Sequence, residues 1–371
     1  MGAAALALLA GLAVWVAVPG SGDGDGDGAA SLPAAAPATP TGRNVPPVRD
    51  GMLRGANVTA YLADALSAPT AADALRDLRA AGADQATFPV LWFQAARDST
   101  AIAPDPHETP SDASIVAAAA TARGDGMQVG IAPHLNVRDG TFRGDIAPAS
   151  RGEWMAAYRR MVEHYADLAQ QVHADLFVVG SELASMSGDD AAWRSLIADV
   201  RGRFDGQITY AANWVQEAEK VPFWDVLDAV GIDAYMPLTP KDADPSVTQL
   251  EAGWQPWITR MQALHDRTGK PVLVTELGYT SRVGTAQAPA EQGDGAVSLT
   301  AQANAYEAAF SQLGHRDWVS GIAIWDWSAD GRQSAGDYSP QGKPAQAVLA
   351  RWYGGTVRAA TAAGGAPRTT G

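Results

Sequence analysis

The chain has 371 residues, 41 acidic against 27 basic side chains for a formal charge of -14, 12 Trp and no Cys. That length holds one large α/β barrel or two ordinary domains. The acidic balance argues against a nucleic-acid partner, which would need a basic face, and the lack of Cys removes disulfides, thiolate metal sites and a cysteine nucleophile.

Residues 3–18 are an apolar run closed by Pro19 and Gly20. A spanning helix wants about 20 apolar residues, so 1–20 reads as a signal peptide or signal anchor, although no Lys or Arg precedes it. The expected location is extracellular, secreted or tethered to the outer face of the membrane. Residues 21–51 follow as Gly/Asp repeats and then Ala/Pro/Thr, a flexible linker. Asp23, Asp25 and Asp27 alternate with Gly but lack the terminal bidentate acid of a calcium loop. The linker holds Asp23, Asp25, Asp27 and Asp50 against Arg43 and Arg49, so most of the acidity belongs to the body of the chain.

From 52 to 354 short β-prone apolar runs alternate with helical ones. Strands are expected at 53–59, 85–93, 127–134, 175–182, 207–214, 229–235, 271–278 and 320–327. The clearest helix carries Trp154, Tyr158, Met161, Val162, Tyr165, Leu168, Ala169 and Val172 on one face, opened by Ser150 and Glu153 as a capping box. Another opens at Thr109-Pro110-Ser111-Asp112, with Pro110 expected in its first turn. A third follows Asp189 and Asp190 through Trp193, Leu196, Ile197, Val200 and Phe204. Eight such alternations predict a single (β/α)8 TIM barrel, and the rival doubly wound nucleotide-binding sheet lacks its glycine-rich fingerprint. Residues 355–371, rich in Gly, Ala and Thr, read as a disordered tail.

Barrel chemistry sits at the carboxyl ends of the strands, and two acids stand there: Glu182 ends the fourth run and Glu276 the seventh. A carboxylate directly after four or five buried apolar residues is expensive to desolvate unless paired or useful. Glycoside cleavage needs two such groups, one protonated to donate to the leaving oxygen and one ionised to attack or to activate water. Tyr235, closing the sixth run, either orients Glu276 or is a rim aromatic. Asn213 binds a sugar hydroxyl, orients Glu182 or caps a loop. Trp325 and Trp327, two apart on the eighth run, form a candidate floor for a sugar ring, with packing as the alternative. Arg143 and Asn136, in the polar stretch 134–145, either line subsites or knit that loop. His134 has no H-x-H or H-E-x-x-H partner, so no metal site is expected. Ser181 and Ser185 lack a G-x-S-x-G elbow.

These residues belong to a set of motifs: GAN (55–57), PVLWFQ (89–94), FRGDIAP (142–148), VGSEL (179–183), YAANW (210–214), FWD (223–225), GIDAY (231–235), GKPVLVTELGY (269–279) and GKPA (342–345). Together they make 52–354 resemble the clan A glycoside hydrolases, most closely glycoside hydrolase family 113, whose known members are retaining β-mannanases. The resemblance implies Glu182 as acid/base and Glu276 as nucleophile. Ser181 stands where most of the clan places an Asn that contacts the sugar 2-hydroxyl, and Asn213 is the candidate substitute. The expectation is a retaining hydrolase of β-1,4-mannan or mannooligosaccharides, monomeric and without metal or organic cofactor. Trp92, Trp214, Trp325 and Trp327 are expected to stack on sugars, and Arg143 and Tyr235 to orient. The rivals are a hydrolase of another β-glycan and a non-catalytic carbohydrate-binding barrel.

Overall fold

The computed structural model describes residues 47–239, 244–330 and 333–357. The apolar run at 1–20, the linker up to residue 46 and the tail from residue 358 lie outside the described residues. No helix among the described residues is long and apolar enough to cross a membrane.

Eight strands close into a barrel in sequence order: β1 (Leu53–Thr59), β2 (Gln85–Gln94), β3 (Gln128–Val137), β4 (Leu176–Ser181), β5 (Gln207–Asn213), β6 (Val230–Asp233), β7 (Val272–Leu277) and β8 (Val319–Ser328). Every neighbouring pair is parallel. The strands read as continuous apolar runs because each is buried on both faces, by helices outside and by the barrel's own side chains inside. The outer ring is α1 (Pro69–Ala80), α2 (Asp112–Gly124), α3 (Arg151–Gln171), α4 (Asp190–Arg201), α5 (Trp214–Ala218), α6 (Val247–Thr268), α7 (Leu299–Leu313) and α8 (Pro344–Tyr353).

Local signals explain most helix starts. Ser150 accepts a hydrogen bond from the Glu153 N–H at α3, and Asp189 does the same for Ala192 at α4. The reciprocal capping box expected at Ser150 is found instead at α6, where Ser246 and Gln249 each satisfy the other's backbone. Pro110 precedes the cap of α2 rather than opening the helix, because Ser111 takes the cap position. Phe204 lies beyond the end of α4 but is buried against Phe177 of β4. Residues just before 52 also pack on the barrel. Val48 is buried, its N–H bonded to the Trp352 carbonyl at 2.9 Å, and the Arg49 N–H reaches the Gly314 carbonyl at 2.9 Å.

The main core lies between barrel and helices, while a smaller cluster of Ala132, Leu176, Val178, Ala211, Ala229 and Leu273 fills the barrel's interior. At the amino-terminal mouth three aspartates close the sheet. Asp84, Asp175 and Asp228 accept from the N–H groups of Arg54, Val129 and Ile208 on the preceding strands. Each is paired with an arginine: Arg54, Arg123 and Arg201. This end serves stability, and in barrels of this class reactive groups stand at the opposite end.

Register shifts on three strands mark that opposite end. Between Val178 and Ser181, β4 carries one residue more than β5, and between Val274 and Glu276, β7 carries one more than β6. On β8 three steps from Ile324 to Trp327 match two on β1. A bulge turns the following side chain to the other face, so each shift re-aims what comes next.

Candidate active site

Glu182 follows β4 directly, and Glu276 lies in β7; they are 4% and 6% exposed. The backbone of Glu182 is left-handed, with φ 55°, as is that of Trp214 at φ 58°. Such a conformation in a bulky residue persists only where its surroundings enforce it. Here a buried clamp does so. The Leu183 N–H donates to the Tyr210 hydroxyl at 2.8 Å, and that hydroxyl donates to Glu217 Oε1 at 2.6 Å. The Asn213 N–H then donates to Glu217 Oε2 at 2.6 Å. Both left-handed residues are held from beside by one carboxyl, which burial pushes up to about 7. Gly144 completes the enclosure, since a Cβ there would lie 2.5 Å from the Phe142 ring and 3.1 Å from the Glu182 carbonyl.

A polar chain joins the two glutamates. Arg143 stands 3.9 Å from Glu182 Oε2, donates to Asn136 Oδ1 at 2.8 Å, and faces His134 Nδ1 at 3.2 Å. An arginine can only donate, so Nδ1 accepts and the imidazole proton sits on Nε2, 3.8 Å from Glu276 Oε1. Burial and the Arg143 charge hold His134 well below the usual imidazole range. It is therefore neutral and makes no ion pair with Glu276. On its other oxygen Glu276 accepts from the Tyr235 hydroxyl at 2.7 Å.

Burial pushes both glutamates above the usual carboxylate range. The charge of Glu182 raises Glu276 further, while the Tyr235 hydrogen bond draws it back. Arg143 opposes the rise at Glu182. Two like groups this coupled do not ionise independently, so the pair keeps one proton over a wide pH range. Tyr235 donates at 2.7 Å to Glu276, which favours the ionised form there.

The named residues divide accordingly. Glu182, Glu276, Arg143, Asn136, His134 and Trp325 share one cavity. Trp325 stacks on His134, with ring centroids 5.9 Å apart and planes 8° from parallel. Tyr235 and Trp325 form a small cluster with Tyr338, against which Trp214 packs half-buried. Asn213 ends β5 with its backbone engaged by Glu217 and its side chain half-buried.

Two tryptophans lie elsewhere. Trp327 is fully buried and donates its indole N–H to the Ala74 carbonyl of α1, at 2.8 Å. The β8 bulge separates it from Trp325, so the two indoles do not share a face. Trp92 donates to the Tyr165 hydroxyl of α3 at 2.8 Å and packs on the outer core, whereas Pro89 and Leu91 face the cavity. Ser181 turns its hydroxyl to Asp233, at 3.2 Å.

Sequence reading missed three groups. Asp233 lay inside the quoted GIDAY motif without a role. Glu217, four residues after Asn213, carried no apolar run to mark it as buried. Asp326, between the two indoles, accepts from the Thr59 hydroxyl at 2.6 Å and is pushed up to about 6 by burial.

Solved structures share the fold. A GH113 β-1,4-mannanase solved as a complex is 26% identical, with a TM-score of 0.75 over 82% of this chain and 99% of its own. The GH113 β-mannanase AaManA of Alicyclobacillus acidocaldarius, solved with ManMIm, is 29% identical, with a TM-score of 0.74 over 82% and 97%. A β-glucuronidase of Ruminococcus gnavus, 12% identical over 81% of this chain and 49% of its own with a TM-score of 0.54, shares the fold alone. No curated protein matches the sequence. The model of Glycoside Hydrolase Family 113 matches residues 61–353. That span holds all eight helices and seven of the eight strands together with both glutamates, and the chain is a glycoside hydrolase belonging to family 113.

Proposed function

We propose that this protein is a retaining hydrolase of β-1,4-linked mannan or mannooligosaccharides, acting outside the cell as a secreted or membrane-tethered monomer. The observation that carries the mechanism is the asymmetric environment of the two glutamates: the Tyr235 hydroxyl lies 2.7 Å from Glu276, whereas Glu182 faces Arg143 at 3.9 Å. Ionised Glu276 attacks the anomeric carbon as Glu182 gives its proton to the departing oxygen. The C1–O bond to the leaving sugar breaks and a glycosyl ester to Glu276 forms. Glu182 then takes a proton from water, whose oxygen bonds to C1 as the ester breaks, and configuration is retained. Trp325 supplies the stacking face nearest this chemistry, Trp214 a second at its margin, and Arg143 holds the imidazole and Glu182 in place. The choice of mannan rests on the likeness to two β-mannanases of family 113.

Proton NMR during digestion tests the reading. The β-anomer of the reducing-end product should appear first from β-1,4-mannan and later equilibrate. Immediate α-anomer would overturn the covalent mechanism, and activity on β-glucan or xylan without activity on mannan would overturn the substrate.

Tyr235→Phe tests the asymmetry directly. The phenol stabilises ionised Glu276, so its removal raises that carboxyl further and moves the acid limb of the pH profile of kcat/KM to higher pH. A hydrogen bond to a charged group contributes about 1.5–3 kcal/mol, so kcat should fall about 10- to 100-fold. An unmoved acid limb would mean that Tyr235 merely packs.

A further inference from the structure

Asp233, the last residue of β6, is 0% exposed and lies inside the barrel, among the groups that line a polar cavity with His134, Thr275 and Glu276. Its Oδ2 is hydrogen-bonded to the Ser181 hydroxyl at 3.2 Å, and its Oδ1 accepts from the Thr275 hydroxyl at 2.7 Å. These two residues immediately precede Glu182 and Glu276. They also sit at the register shifts of β4 and β7, where each strand carries an extra residue just before its glutamate. A bulge leaves the local ladder incomplete and lets the strand end bend. Without a brace the direction of the following side chain would be poorly fixed. One carboxyl group touches both bulges.

We infer that Asp233 is a positioning residue for the hydrolytic reaction: through Ser181 and Thr275 it sets the aim and separation of Glu182 and Glu276. The inference rests on the reading that these two glutamates do the chemistry. It also explains the serine before the acid/base: the hydroxyl is directed down to Asp233 and is not offered to the sugar.

The state of Asp233 follows from its surroundings. The titratable groups facing it are Glu276 on β7, Glu182 after β4 and neutral His134 on β3. Burial comes first and the two glutamate charges next in pushing its carboxyl well above the usual range, against the two hydroxyls. A charged Asp233 would place a second negative charge behind a pair that shares one proton and already carries one. The brace is therefore a neutral acid that accepts from Thr275 at Oδ1 and donates its own proton from Oδ2 to the Ser181 oxygen, and Asn, with one acceptor and one donor, is its nearest replacement.

The test compares Asp233→Ala, Asp233→Asn and the double variant Ser181→Ala/Thr275→Val, with Glu276→Ala in the same assay on a soluble mannooligosaccharide. Displacing reacting groups by about 1 Å is enough for a loss on the order of 100-fold. Asp233→Ala should lower kcat about 100-fold per folded molecule with KM changed less than about threefold. Asp233→Asn should recover most of that loss and keep the limbs of the pH profile where the native protein has them. The double variant, with Asp233 intact, should reproduce the loss, and adding Asp233→Ala to it should lower kcat by less than about twofold more.

Three results would overturn the inference. They are full kcat per folded Asp233→Ala molecule, a rise in KM with kcat unchanged, or an Asp233→Asn variant as impaired as the alanine with both limbs displaced. If Asp233→Ala does not fold, the double variant decides: full kcat there refutes the brace. Hydrolysis by Glu276→Ala would instead refute the underlying assignment, whatever Asp233 does.

Discussion

Glu276→Ala is expected to lower kcat on mannooligosaccharides by about 10⁴-fold or more, the scale seen when an essential nucleophile is removed while binding groups remain. The truncation opens a space bounded by Tyr235 and His134, which otherwise face the two carboxylate oxygens. A small anion can occupy that space. With an aryl glycoside that needs no acid assistance, added azide should restore turnover and yield the α-glycosyl azide, because attack from the side of the lost carboxylate inverts the β-configured centre. A β-glycosyl azide would assign Glu276 to the acid/base role and reverse the proposed mechanism. Retained hydrolysis without azide would remove Glu276 from the chemistry.

The same variant has a stability signature of known sign. Burial and the charge of Glu182 raise the folded-state carboxyl of Glu276 above its unfolded value. Such a group contributes stability that is fully present below the unfolded carboxylate range and is lost as pH rises through the folded value. Native protein should therefore lose more stability between acidic and mildly alkaline pH than Glu276→Ala does. Thermal unfolding at several pH values checks the difference, and parallel curves would show that Glu276 is not desolvated in solution.

Strand positions were legible because a barrel strand is buried on both faces and so reads as an apolar run of four to eight residues. The same burial hides which face a side chain takes. Trp92 sits in a run where every position is apolar or uncharged, and only the pairing shows that it turns with Phe88 and Val90 to the helices. Trp325 and Trp327 illustrate the second obstacle. Alternation by two places them on one face, and the extra residue in β8 separates them, with one indole on His134 and the other on α1. Bulges depend on pairing between distant strands and leave no mark in composition.

The glutamates were found for the reason that made Asp233 hard to see. Glu182 and Glu276 each end a long apolar run, so their desolvation is evident from sequence. Asp233 ends a four-residue strand, and only the closed barrel shows that it reaches β4 on one side and β7 on the other. Glu217 is hidden further. It lies on the five-residue helix α5, outside any periodic pattern, and acts through Tyr210 on the backbone next to Glu182.

Glu182→Gln should separate the two half-reactions. The amide keeps the size of the side chain and removes the proton that the leaving oxygen requires. General acid assistance contributes about 10²–10⁴-fold, so hydrolysis of mannooligosaccharides, whose leaving group is a sugar hydroxyl, should fall by that factor. An aryl glycoside with an acidic phenol departs unaided. Its first step should stay near the native rate, and release of the glycosyl-enzyme should become limiting because no base remains to activate water. A burst of phenol followed by slow turnover is the expected signature, and azide should then give the β-glycosyl azide. The alkaline limb of the kcat/KM profile should also vanish with the aryl substrate, since that limb reports loss of the Glu182 proton. An equal loss on both substrate types would contradict a proton donor and would fit a residue that only binds sugar. The left-handed backbone of Glu182, held through Leu183 by Tyr210 and Glu217, is untouched by the change. A differential effect between leaving groups would therefore report the proton itself rather than a displaced strand end.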